Sequence, residues 1–216
     1  MLTKIKDPGS AITHFIGMIL AVAAAIPMLL RASVDSSPRV VVSLFIFAVS
    51  MIGLYTASTA YHTFDISDRV NTFLQKIDHI MISVLIAGTY TPVCTAIIGG
   101  RSGKITLIVI WALAALQTVL NIVYIHCPKW LSSVIYIGMG WSCVHAFGRI
   151  IDSIGMAGFS LLLSGGIVYT AGGIVYALRL SDFNKRHPSF GTHEIFHLFV
   201  MCGSVLHFLL MYLYVK

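Results

Sequence analysis

The amino-acid sequence predicts an all-α polytopic membrane protein, a bundle of seven transmembrane helices. Of its 216 residues, 57% are hydrophobic and only 10% are charged, and the mean hydropathy of +0.89 lies far above that of ordinary soluble domains. Seven apolar runs follow one another, each close to the ~20 residues that a helix needs to cross a bilayer. The breaks between them are short and carry turn and charge signals. We therefore expect a single domain over residues 1–216.

The seven predicted spans begin near the N-terminus and continue almost to the C-terminus. They cover residues 12–30, 40–62, 77–98, 105–124, 130–148, 157–178 and 192–214. The first run is long enough to span a bilayer, and no small-residue cleavage pattern lies between it and the second run. We therefore expect the first run to be retained rather than removed as a signal peptide. The four cysteines form no C-x-x-C pair, and neither a zinc ribbon nor a disulfide framework is indicated.

Basic residues outnumber acidic ones, with 14 lysines and arginines against 8 aspartates and glutamates. Most lie between the apolar runs, where membrane topology explains them, and no cluster resembles a nucleic-acid patch. The N-terminus and the even-numbered loops carry the larger share of lysine and arginine. This distribution favours a cytoplasmic N-terminus.

Three polar helix ends are predicted to meet at one membrane face. The second span ends near His62, the third begins near Asp78 and the seventh begins near His193. Counting spans as odd or even places all three ends on the same side, whatever the orientation of the chain. Their side chains can therefore converge on one site.

A zinc site is predicted at this face. His193 and His197 are four residues apart, which puts them on one side of a helix about one turn, or ~6 Å, from each other. Three imidazoles and a water form a common open zinc site, so we predict that His62, His193 and His197 bind Zn²⁺. The alternative is that these histidines only link helices by hydrogen bonds. Ionisable groups inside spans are unfavourable and usually mark function, which favours the metal.

Two further polar residues are predicted to act on the water at this metal. Asp78 could hold the water either as a general base or as a group that only orients it. Ser58 lies one turn before His62 and could hydrogen-bond the same water or an oxyanion. Asp78 and Ser58 are therefore the predicted catalytic residues.

Four other histidines are predicted to lie away from the metal. His207 is ten residues beyond His197, about 15 Å further along the helix. His145 lies late in the fifth span, at the opposite face, while His126 and His187 fall in predicted loops. None of these four can readily share the site.

Three residues near the predicted site have open roles. His79 points ~100° away from Asp78 and is an alternative fourth ligand, and His14 starts the first span at the correct face. Glu194 completes an HExxH string, which in a soluble zinc peptidase would supply the general base. An intramembrane peptidase needs a further carboxylate ligand from another helix, and no such motif occurs in a later span, so this reading is disfavoured.

Six stretches of the sequence carry a family resemblance through their order and spacing. They are "SAITHFIG" (10–17), "STAYHTF" (58–64), "KIDHIMISVLIAGTYTPV" (76–93), "MGW" (139–141), "GGIVYTAGGIVYAL" (165–178) and "HEIFHLFVMCGSVLHF" (193–208). Together they resemble the hemolysin III family, the bacterial branch of the adiponectin and progestin receptor superfamily, over nearly the whole chain.

The resemblance implies a seven-helix protein of the bacterial plasma membrane with a zinc ion near its cytoplasmic face. The family's zinc ligands match His62, His193 and His197. An aspartate that contacts the metal-bound water matches Asp78, and a serine one turn before the second-span histidine corresponds to Ser58. Across the superfamily the residue that follows the first seventh-span histidine need not be acidic, so a role for Glu194 stays open.

Two classes of function follow as expectations. The first is a metal-dependent hydrolase of a lipid amide or ester, similar to the alkaline ceramidases, whose substrate enters laterally between helices. The second is non-enzymatic: a membrane-active haemolysin or cytolysin, or a regulator of membrane lipid state in which zinc is structural. A pore is disfavoured because the spans lack a polar stripe. In both classes the expected partners are membrane lipids and not nucleic acid.

Overall fold

The computed structural model describes residues 5–123, 129–178, 181–187 and 190–216, and within these ranges it contains helices and no strand, as predicted. The helices are α1 (Pro8–Asp35), α2 (Pro38–Thr63), α3 (Asp68–Pro92), α4 (Gly100–Val123), α5 (Lys129–Gly140), α6 (Phe147–Leu178), α7 (Ser181–Arg186) and α8 (Thr192–Tyr214). A π-helical stretch, Val93–Ile98, extends α3, and a 3₁₀ stretch, Trp141–Ala146, joins α5 to α6. His126 and Cys127 lie outside the described residues.

The chain crosses the membrane seven times, as predicted, although only six continuous helical segments of the described residues are long and apolar enough to span. One of the six, Trp130–Leu178, has 49 residues and would be about 73 Å long, more than twice the thickness of a bilayer core. It is divided at Gly155, whose φ of 69° and ψ of 175° match those of Gly99, where α4 follows the third span. Essentially only glycine adopts this conformation. The segment therefore makes two crossings.

The outer surface of the bundle is apolar. On α1, for example, the outward side chains are about half exposed and most of the inward ones are small. The outward set is Ile12, Phe15, Ile16 and Ile19. A surface of this kind is unfavourable in water and suits contact with lipid chains. Together with the seven crossings, it makes the chain a multi-pass membrane protein.

Close helix contacts bring the polar ends together. α1 packs against α2 and α8, α2 packs against α3, and α6 packs against α8. A Cβ atom at Gly17 would lie 2.8 Å from the ring of Tyr55, and one at Gly203 would lie 2.9 Å from the ring of Tyr169. Small residues allow helices to approach in this way. The end of α2 and the starts of α1 and α8 consequently share one face, as the span count predicted.

The predicted start of the third span is wrong by nine residues. α3 begins at Asp68, where the Ser67 side chain accepts a hydrogen bond from the backbone N–H of Val70 at 3.4 Å. Its first turns are polar, so hydropathy detects only the apolar part that follows. Asp78 therefore lies about 15 Å inside α3 instead of at its end. It is buried, with 8% of its surface exposed.

Candidate metal centre

Three histidines converge where α2 ends and α8 begins. His62 precedes the last residue of α2, and His193 and His197 lie in the first two turns of α8. Each offers a ring nitrogen, and these three atoms all lie within 4.8 Å of one another. The Nε2 atoms of His62 and His193 are 3.1 Å apart. These are the three residues that the sequence predicted as ligands, and they can hold a metal ion.

Hydrogen bonds on the far side of two rings fix their tautomers. The Asp7 carboxylate lies 3.0 Å from His62 Nδ1, and because a carboxylate only accepts, Nδ1 carries the proton. The Thr13 hydroxyl uses its single hydrogen on the backbone carbonyls of α1, so it accepts from His197 Nδ1 at 3.2 Å. Both Nε2 atoms are left with a lone pair. Such outer partners are typical of metal-binding histidines, and the donor set fits a metal ion.

Asp7 and Thr13 were not predicted from the sequence. Both come from the first turns of α1 or from the residues just before it, at the face to which the span count assigns His14 and His62. That shared face was the available signal. Nothing in the spacing of Asp7 and His62 along the chain indicates that their side chains meet.

Asp78 and Ser58 lie next to each other, beside the histidines. The Ser58 hydroxyl is a close polar neighbour of the Asp78 carboxyl group, although it makes no hydrogen bond of good geometry with it. Both line the same cavity as His193 and His197. Asp78 is not part of the three-histidine group. Its position suits contact through a water or substrate atom better than direct ligation.

His14 lies against the metal centre. Its ring stacks on that of His197, with centroids 3.5 Å apart and planes 10° from parallel. It is 3% exposed and lines the cavity, and neither of its ring nitrogens makes a hydrogen bond of good geometry with a described residue, although the backbone of His197 is a close polar neighbour. An unpartnered buried polar group costs about 1–3 kcal/mol. The nitrogens of His14 are therefore available to a molecule bound in the cavity.

Glu194 holds two helix ends together. Its Oε1 accepts a hydrogen bond from the Ser10 hydroxyl at 2.5 Å, and its Oε2 accepts one from the backbone N–H of Gly191 at 2.8 Å. The side chain thus caps α8 and ties it to α1. It is absent from the cavity lining. In this structure the HExxH string supplies two histidines of the three-histidine group, while its glutamate is engaged in a helix cap away from the cavity.

We expect Glu194→Gln to keep the metal and to lower stability. A glutamine has only one acceptor oxygen, so it can accept from the Gly191 N–H only if its amide N–H₂ group donates to the Ser10 oxygen. Both contacts then lose their charge assistance, so the free energy of unfolding should fall by about 1–2 kcal/mol. Zinc content by elemental analysis and thermal unfolding in detergent measure the two effects. A variant with full metal content, unchanged stability and no catalytic activity would instead make Glu194 a base.

The remaining histidines of the described residues stay apart from the three-histidine group. His79 lines the cavity without joining that group, so the structure does not bear out the alternative of a fourth ligand. His145 and His187 are exposed. His207 is buried and donates from Nε2 to the backbone carbonyl of Leu162 at 3.3 Å.

A long apolar cavity runs from the histidines towards the middle of the bundle. It extends from Asp78 to Val93 along α3 and from His193 to His207 along α8, about 20 Å on each helix. Most of the side chains that line it are aliphatic or aromatic. The end with the histidines is polar, while most of the length suits a hydrocarbon chain.

Comparison with known proteins assigns nearly the whole chain to one family. The model of the family described as "Haemolysin-III related" matches residues 2–208. The chain belongs to this family. The family match covers α1 to α7 and α8 as far as residue 208. It includes all three converging histidines.

Two bacterial relatives of this haemolysin-III-related protein have similar lengths. It is 37% identical over 204 residues to a protein named "Hemolysin-3 homolog" from Bacillus subtilis (strain 168), covering 94% of this chain and 92% of the relative. It is 36% identical over 210 residues to "Hemolysin-3" from Bacillus cereus, covering 97% and 92%. A more distant relative is "Adiponectin receptor protein" from Drosophila melanogaster, 22% identical over 219 residues, with 94% of this chain and 49% of the relative covered.

Proposed function

We propose that this haemolysin-III-related protein is a zinc-dependent hydrolase that cleaves an amide or ester bond of a membrane lipid. The observation that carries the proposal is the cavity, which has His193 and His197 of the three-histidine group at one end and about 20 Å of apolar lining beyond them. A lipid placed in it would have its acyl chain among apolar side chains and its polar linkage beside the histidines. Membrane lipids are accordingly the proposed partners.

Zinc is the proposed metal because the donor set consists of three imidazoles. Neutral imidazole suits zinc, and catalytic zinc sites commonly have three protein ligands and one open position. His62, His193 and His197 would hold the ion. When bound, zinc supplies Lewis acidity, which polarises a carbonyl group and allows water to react as a nucleophile near neutral pH.

The roles of the chain's own residues follow from their positions around the cavity. Asp78 would accept the proton of the attacking water and return it to the departing amine or alkoxide, so that water and lipid yield a fatty acid and an amine or alcohol. Ser58 and His14 would hydrogen-bond the reacting polar linkage. The apolar lining beyond them would exclude bulk water from the acyl chain.

Lateral access from the bilayer is part of the proposal. The proposed lipid substrate is apolar over most of its length, so entry through water would expose its acyl chain unfavourably. α5 packs less extensively against α3 than α4 does, and residues of α5 line the cavity. The side of the bundle formed by α3, α5 and α6 is the proposed route.

The test is release of fatty acid from ceramide and from phospholipid by purified protein in liposomes, with Gly166→Phe as the critical variant. Gly166 lines the cavity, and a Cβ atom there meets no other atom within 4 Å, so the new ring would fill the cavity without displacing its neighbours. We expect Gly166→Phe to bind zinc normally and to lose at least 90% of the release rate, because a blocked subsite excludes the acyl chain.

The matched control is Gly148→Phe. Gly148 also has open space around its Cα but lies on the exposed surface, so the added ring should leave hydrolysis unchanged. A metal-loaded wild type that releases no fatty acid from either lipid class would contradict the hydrolase. Equal activity in Gly166→Phe and Gly148→Phe would contradict the placement of the acyl chain.

A second candidate function is direct membrane lysis with a structural metal. It is favoured by the name "Hemolysin-3" given to the relative from Bacillus cereus. Leakage of a dye from pure liposomes, unaffected by chelator and by Asp78→Asn, would support it. The apolar lining of the cavity argues against a water-filled pore along that route.

A further inference from the structure

We propose that Asp7 is a positioning residue of the metal centre, holding the His62 imidazole in the orientation and tautomer that direct Nε2 to the metal. The inference deepens the proposed function and rests on the metal site within it. Asp7 is not a metal ligand. It would act through His62, from the side of the ring that faces away from the other two histidines.

The side chain of Asp7 hydrogen-bonds to His62 and does not cap its own helix, α1. Asp7 occupies the residue before α1, where aspartate commonly caps the first backbone N–H groups, but its side chain makes no such cap. Its Oδ2 lies 3.0 Å from His62 Nδ1. Because this carboxylate binds a histidine on another helix instead of capping its own, we infer that it orients that histidine.

The backbone around Asp7 is fastened to the same helix end. The N–H of Asp7 donates to the carbonyl oxygen of His62 at 2.9 Å, and the N–H of Lys6 donates to that of Thr63 at 3.4 Å. These bonds satisfy carbonyl groups that the last turn of a helix leaves unpaired. His62 belongs to that last turn, which without an anchor would fray. The segment before α1 therefore holds both the backbone and the ring of His62.

The different solvent exposure of Asp7 and His62 makes the hydrogen bond between them favourable. The side chain of His62 is 4% exposed while that of Asp7 is 45% exposed, so the carboxylate remains hydrated and the imidazole is buried. The pair thus gains a charge-assisted hydrogen bond without the cost of burying a carboxylate fully. An asparagine at this position could present its N–H₂ group to Nδ1, which would favour the ring proton on Nε2 and so weaken metal binding.

The test compares zinc affinities of purified wild type, Asp7→Asn, Asp7→Glu and Asp68→Asn by competition with a chelator. Loss of an outer partner of a metal-binding histidine typically weakens metal binding 10- to 100-fold, which is the expected effect of Asp7→Asn. Asp7→Glu should recover most of the affinity because it restores a carboxylate. Asp68→Asn, an exposed change in the first turn of α3 with no contact to the histidines, should match the wild type.

Thermal unfolding with and without chelator separates positioning from a general loss of stability. For a positioning residue, Asp7→Asn should lower the melting temperature far more in the presence of zinc than after chelation. An equal drop in both conditions, or a zinc affinity equal to that of the wild type, would overturn the inference for Asp7 alone. A wild type that binds no metal at all would overturn the metal site together with it.

Discussion

Substitution of His62, His193 or His197 by alanine is expected to remove the metal from the purified protein. A tetrahedral site with three protein ligands loses a third of its protein donors in each variant, and two remaining imidazoles hold zinc poorly against a competing chelator. We expect close to one zinc ion per chain in the wild type and a small fraction of that in each variant, measured by elemental analysis after dialysis against a weak chelator.

The control for this experiment is His187→Ala. His187 is exposed, and its ring Nδ1 contacts the carbonyl oxygen of Phe183 within its own short segment. The His187→Ala variant should keep the wild-type zinc content. If instead any of the three cluster variants retains the full zinc content at unchanged affinity, that histidine is not a ligand.

Asp78→Asn is expected to keep the metal and to abolish hydrolysis. General acid–base catalysis typically contributes 10²- to 10⁴-fold, and an asparagine of nearly equal size cannot accept the proton of the attacking water. The rate of fatty-acid release should therefore fall by at least about 100-fold. The measurement is the release rate at saturating lipid, with zinc content determined on the same preparation.

The outcome separates the possible roles of Asp78. Unchanged hydrolysis in Asp78→Asn would exclude it as the base, and loss of zinc would make it a ligand. Asp68→Asn again serves as the control, because Asp68 lies on the same helix but is exposed and outside the cavity. It should leave both activity and zinc content unchanged.

The overall fold followed from hydropathy and from span counting, because both depend on local sequence. A run of about 20 apolar residues has few alternatives to a transmembrane helix, and the number of crossings fixes which ends share a face. His62, His193 and His197 could be selected for that reason. The polar start of α3 was not predicted, because hydropathy does not detect helical turns that extend beyond the apolar run. The position of Asp78 within its helix was therefore misplaced, although its location beside the histidines was not.

The outer contacts of the site could not be predicted because they depend on tertiary geometry. Asp7 and His62 are 55 residues apart, and Thr13 and His197 are 184 apart. Each pair forms only once α1 has packed against α2 and α8. The same packing turns Glu194 towards Ser10, so the glutamate of an HExxH string that in isolation predicts a base becomes a helix cap, while its two histidines join His62.

X-ray absorption at the zinc edge of the purified wild-type protein tests the metal centre most directly. For His62, His193 and His197 as ligands, we expect nitrogen or oxygen neighbours at about 2.0 Å, the multiple-scattering pattern of imidazole rings and no sulfur at about 2.3 Å. A spectrum with sulfur neighbours, a spectrum without imidazole scattering, or a folded protein that takes up no zinc would contradict the three-histidine site.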